Sequence, residues 1–200
     1  MLFRSVALRQ VAGLDGMHIN ADDVAFKLAP RINAAGRLDD AAPAYELLLA
    51  SDMATATQYA ATLNDINTQR QQFTKALQER IATDIVQIGR QHDTIIVHAD
   101  PDAHAGLVGL VAARIADQFA RPTIIIEQGM PTSRGSARAA GMLNMVEALR
   151  NCGVAFVKMG GHAAAAGFTI ETRAIDDLRQ ALLTYAAANS ITTEIGRAHV

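Results

Sequence analysis

Three short segments pair cationic or hydroxyl side chains with glycine in patterns suited to gripping phosphate. Arg134-Gly135-Ser136-Ala137-Arg138 is one. On an extended chain side chains alternate, so Arg134, Ser136 and Arg138 would share a face. A hydroxyl beside a forked guanidinium makes a phosphate clamp. The same spacing also describes an exposed edge strand guarded by arginines. Gly160-Gly161-His162, followed by the alanines 163–166, is the second. It reads as a Gly-Gly turn whose successive N–H groups could nest an anion. His162 is a donor there, and Lys158 lies just upstream; a tight turn with a structural histidine fits equally. In the third segment, 30–38, Arg31 and Arg37 flank a compact loop, Asn33-Ala34-Ala35-Gly36. Gly36 permits positive φ, and Arg37 supplies a forked donor. Two arginines around a loop are also ordinary solvated surface.

A fourth segment imitates a metal site. His98, Asp100, Asp102 and His104 alternate, and on a strand they would share one face with ligand types suited to manganese or zinc. Pro101 interrupts the run, however, where a strand is expected to pass into a helix. The expectation is therefore a polar loop with Asp102 or His104 capping that helix. Two-metal hydrolysis of a phosphodiester needs a cluster of carboxylate and imidazole ligands. No Asp-His-His triplet occurs in the sequence, and the pairs Asp22-Asp23 and Asp39-Asp40 have no histidine neighbours.

The elements that must position these groups follow from periodicity. Leu2 to Leu14 is patterned as a helix, and Asn20, Asp22 and Asp23 offer caps for a short element that Pro30 stops. Pro43 suits the first turn of a helix over 44–50. From Asp52 to about Arg90 apolar residues recur in steps of three, four or seven, as at Leu63, Ile66, Phe73, Leu77, Ile81, Ile85 and Ile88. That predicts one long amphipathic helix of about 50 Å. Beyond it strands expected at 94–98, 122–126, 133–138 and 167–171 alternate with helices at 106–120, 143–152 and 174–188. This is the pattern of an α/β domain with a central sheet.

Bulk properties limit the alternatives. Half of the 200 residues are apolar, enough for one large or two small cores, and 4% are aromatic. The formal charge of −2 excludes a polycation, so a nucleic-acid role needs local clusters of Arg and Lys. No run reaches the length of a membrane span, and the N-terminus lacks the layout of a secretory signal. The single cysteine, Cys152, excludes an internal disulfide and fits a reducing, cytoplasmic setting. Glu194–Val200 reads as a translated sequencing adapter and is expected to lie outside the fold.

The ordered set of motifs resembles the RecJ-type DHH/DHHA1 exonucleases. Residues 26–38 resemble the segment that closes the DHH domain, and 63–70 the connector helix. Residues 104–115 are similar to the first helix of the DHHA1 domain; Gly135-Ser136-Ala137-Arg138 and Gly160-Gly161-His162 are similar to its signature motifs. Ala103 and Ala139 stand where the family often has Trp and Ser. The resemblance implies an α/β chain: a DHH tail at 1–50, a connecting helix at 51–92, a DHHA1 domain at 93–190 and an extraneous tail at 191–200. It implies a two-lobed, groove-forming nuclease that hydrolyses single-stranded DNA from the 5′ end in repair and recombination, with a single-strand-binding protein or helicase as partner of the parent. Manganese or magnesium would be held by DHH residues absent from this sequence, leaving this part inactive alone. Backbone contacts would fall to Arg37, Ser136, Arg138, Gly160, Gly161 and His162, with Arg31 as a weaker contact or a residue that only shapes its loop, and His162 near the scissile region. Two other readings are a purely binding module and a DHH-superfamily phosphodiesterase of short oligonucleotides or cyclic dinucleotides.

Overall fold

The computed structural model describes residues 2–141 and 143–189; the adapter-like tail at 194–200 lies outside them. The chain divides into two compact units, Met1–Phe73 and Thr74–Val200.

The first unit is helical: α1 (Leu2–Val11), α2 (Ala21–Asp23), a π-helical segment (Val24–Leu28), α3 (Ala29–Leu38), α4 (Ala42–Leu49) and the first part of α5 (Met53–Gln87). The Asn20 side chain accepts from the Asp23 N–H, and the Asp23 carboxylate accepts from the Asn20 N–H, the capping box that starts a helix. Pro30 does not stop this element, and Asn33–Gly36 is not a loop. The chain stays helical through both, because the π turn absorbs the proline. The Ala29 N–H reaches back to the Val24 carbonyl, and widening the turn relieves the clash a proline ring makes with the preceding carbonyls. Alanine then favours continuation, and Ala34 and Ala35 are buried. Gly36 has no positive φ. The core joins Ala7, Leu8, Ala35, Leu47, Ala56, Ala60 and Leu63; small residues at 56 and 60 let neighbouring helices approach closely.

The long helix expected from the apolar period is α5, 35 residues without a break. Ile81 and Ile85 are fully buried, whereas Phe73 and Ile88 remain exposed. Gly89, at φ 73°, ends it in the left-handed conformation that glycine adopts without penalty.

In the second unit β1 (Ile96–Asp100), α6 (Ala105–Phe119) and β2 (Thr123–Glu127) form a parallel crossover. β3 (Thr132–Arg138), α7 (Met145–Asn151), β4 (Lys158–His162), β5 (Ala165–Glu171) and α8 (Ile175–Ala188) complete it. The described strands form one sheet in the order β1-β2-β3-β5-β4, antiparallel beyond β2. One face carries Val97, Ile124, Ile126, Ala137, Ala166, Phe168 and Ile170 into a core with Met145, Leu149, Leu178 and Leu182 of α7 and α8. A side-chain carbon at Gly135 would overlap the Phe168 ring, which meets Phe156 edge-on at 5.2 Å. α6 packs on the opposite face, against β2 and β3.

Two expectations are corrected here. β3 is the middle strand, not an edge, so its arginines are not edge gatekeepers. Gly160-Gly161 is not a turn but the end of β4, and the turn falls at Ala163-Ala164. Gly161 is required for close strand approach: at φ 149°, any side chain would overlap the Ala165 carbonyl oxygen and Ala166 Cα of β5. Among the described residues, no helix is long and apolar enough to cross a membrane.

Candidate nucleic-acid interface

Strand register decides which of these side chains meet. Across β3, β5 and β4, Arg138 pairs with Ala165 and Ala165 with His162; Ser136 pairs with Gly167 and Gly167 with Gly160; Arg134 pairs with Thr169 and Thr169 with Lys158. Paired residues point to the same side of a sheet. Two motifs far apart in sequence therefore share one face, with Arg138 and His162 about 10 Å apart at two strand spacings. α6 covers this face over β2 and β3. Over β5 and β4 Gly167 and Gly160 are exposed, and nothing stands within 4 Å of where a side chain at 160 would begin. The result is an open strip, bare backbone at Gly167 and Gly160 with Ala165 and Thr169 on either side of them, bordered by Ser136 and Arg138 on one side and by Lys158 and His162 on the other.

The bordering groups are held in place. Arg138 Nη1 donates to Ser136 Oγ at 2.9 Å and to the Ala137 carbonyl at 2.8 Å. Ser136 accepts that bond and keeps its own O–H for another acceptor. Both sit against Gly109 of α6, where a side-chain carbon would lie 3.0 Å from Arg138 Nη2 and 3.1 Å from Ser136 Oγ. His162 is exposed, and its Nδ1 accepts from the Ala164 N–H at 3.3 Å. The neutral ring therefore carries its proton on Nε2, as an outward donor. The turn beneath it is tied at both corners: Ala139 N–H donates to the Ala164 carbonyl and Met145 N–H to the Ala163 carbonyl, both at 2.9 Å. Arg134 and Lys158, both exposed, add charge at the other end of the strip, about 13 Å away along the strands.

The remaining candidates lie elsewhere. Arg37 is half-buried on the last turn of α3, in the first unit. Arg31 ties that unit together: its Nε donates to Asn64 Oδ1 at 3.1 Å, and its other nitrogens reach the carbonyls of Lys27 and Val11. Burial lowers its affinity for its proton. The alternating quartet does not assemble. β1 ends at Asp100, the chain turns at Pro101, and Asp102 points to solvent. His104 caps α6, accepting from the Gly106 N–H at 3.1 Å, the bland role expected for it. Sequence reasoning missed Gly109 and Gly167 as parts of the interface. Reading 158–162 as a strand would have put Lys158, Gly160 and His162 on one face by period two.

Residues 92–188 match the DHHA1 domain family. Over this stretch the chain is similar to a DHHA1 domain. Around it the similarity extends over nearly the whole chain. The single-stranded-DNA-specific exonuclease RecJ of Bacillus subtilis is 34% identical over 189 residues, covering 94% of this chain and 24% of that protein. The Escherichia coli protein of the same name is 36% identical over 173 residues, 82% of this chain and 30% of that one. The crystal structure of Thermus thermophilus RecJ in complex with Mn2+ superposes with a TM-score of 0.79 at 35% identity, covering 92% of this chain and 27% of that one. The chain thus spans about a quarter to a third of the curated relatives it matches. The open strip belongs to the DHHA1 domain in its entirety.

Proposed function

We propose that this chain is part of a metal-dependent exonuclease that degrades single-stranded DNA from the 5′ end in repair and recombination, and that its DHHA1 domain grips the sugar–phosphate backbone. The observation that carries the reading is the pair of rows Arg138–Ala165–His162 and Ser136–Gly167–Gly160. Cationic and hydroxyl groups border a patch where Gly167 and Gly160 carry no side chain and Ala165 only a methyl, so a strand can lie close to the sheet. Arg138 and Ser136 would take one phosphate, His162 Nε2 another, and the sugars would pass over the glycines. Such contacts position a strand without reading it, as a processive nuclease requires. Arg37 of the first unit is a further phosphate contact in this reading. Relatives crystallised with manganese or magnesium support a divalent ion in the parent, working in the cytoplasm. This sequence carries no Asp-His-His triplet, so the chain alone is expected to bind single strands without cutting them.

The test is an anisotropy titration of labelled single strands of differing sequence at several salt concentrations. Arg138→Ala should weaken binding equally for all sequences and flatten the dependence of log K on log salt by roughly 0.7, the single-strand value for one phosphate. Arg138→Lys should recover part of the loss, keeping the charge but not the fork. Ser136→Ala should cost about 0.5–1.5 kcal/mol, one neutral hydrogen bond. An unchanged slope in folded Arg138→Ala overturns the assignment. Manganese-dependent cleavage by the pure chain overturns the division of labour.

A further inference from the structure

One cluster, two of its three members buried, has no part in the strip. Asp84 on α5 and His98 and Asp100 on β1 each offer a ligand atom, and the three atoms lie within 4.8 Å of one another. His98 and Asp100 are two residues apart on β1 and so share a face. Asp84 comes from α5 one turn after Arg80, which pairs with Asp100 at 2.8 Å and fixes that turn of the helix against the strand. His98 is 8% exposed and Asp100 2%. Asp100 is otherwise engaged by Arg80 and the Asp102 N–H. The His98 ring stands beside both carboxylates, its ligand atom within 4.8 Å of theirs. A single cation placed among the three ligand atoms would be reached by one imidazole nitrogen and two carboxylate oxygens.

We propose that Asp84, His98 and Asp100 hold a divalent transition-metal ion of the manganese or zinc class. One imidazole nitrogen with two carboxylate oxygens is a ligand set such ions take, with water completing the shell. Arg80, its side chain 42% exposed, stays at the rim as the counter-ion of Asp100. The ion's role is structural: it joins the last turns of α5 to the first strand of the sheet. This inference is independent of the nucleic-acid reading.

The experiment uses the whole chain, stripped with a chelator and titrated with cobalt, zinc, manganese and magnesium. Calorimetry should show one transition-metal ion per chain, with a rise in Tm. Bound cobalt should absorb in the visible. His98→Gln and Asp84→Asn should each weaken binding by more than about tenfold, with folding checked by circular dichroism. In the unaltered chain, manganese should broaden backbone NMR signals in a sphere centred on residues 84, 98 and 100, a readout that needs no variant. Absence of stoichiometric binding, undiminished affinity in both variants, or broadening centred on an exposed histidine such as His18 or His162 overturns the proposal.

Discussion

At Gly109 a hydrogen stands where any other residue would place a carbon 3.0 Å from Arg138 Nη2 and 3.1 Å from Ser136 Oγ. Mid-helix glycine weakens a helix by about 1 kcal/mol relative to alanine, so its presence in α6 has a local thermodynamic cost. The added methyl would meet only the tips of side chains, which can shift. Gly109→Ala should therefore leave Tm unchanged or raise it while weakening single-strand binding several-fold, because Arg138 is pushed from Ser136. Thermal melts and anisotropy on one preparation would check both; a fall in Tm with intact affinity would contradict the role given to Gly109. Cys152 is the opposite kind of residue, fixed and idle. Its thiol donates to the Leu149 carbonyl at 3.2 Å, and burial pushes its pKa up. Only thiolate reacts. Alkylation by iodoacetamide at neutral pH should be slower than for an unhindered thiol, and its rate should keep climbing with pH beyond the ordinary thiol range. Fast neutral labelling of folded chain would refute this.

The β4–β5 hairpin separates glycines of two kinds. Gly161 lies against β5 backbone at φ 149°, where a side chain has no room. Gly161→Ala should destabilise the domain by about 1–3 kcal/mol, the range for overpacking and backbone strain, seen as a lower Tm. Gly160 and Gly167 face open space or an ordinary contact at 3.9 Å, and threonine is a better strand former. Gly160→Thr and Gly167→Thr should fold at least as well as the parent, yet bind single strands more weakly, because side chains would rise from the bare strip. Equal affinity in both would remove the strip from the interface. Other elements were legible in advance. The α5 period, the β1–α6–β2 crossover and the extended 133–138 segment follow from local pattern. The hairpin did not, because Gly-Gly is a turn signal in most contexts, and only register with β5 shows it to be a place of close packing. The helix through Pro30 was hidden similarly: a proline reads as a stop unless a π turn makes room, and nothing in Val24–Leu28 announces one. Which strands are neighbours is set by non-local pairing, so the sequence could not place His162 in line with Arg138.

At the scale of the whole molecule, a formal charge of −2 leaves the proposed single-strand binding to a few placed cations rather than to bulk attraction. Arg134, Arg138 and Lys158 on the strip, with Arg37 of the first unit, predict a slope of log K on log salt between about −2 and −3 for the intact chain. A slope steeper than about −5 would require phosphate contacts well outside the strip. The vacant positions at 109, 160 and 167 have one more consequence, for protein engineering. At each, a bulkier residue is tolerated or favoured by the folded state and harmful to binding. A variant library of this domain ranked by heat resistance alone would collect substitutions there, and its winners would be sturdier proteins without the proposed hold on DNA.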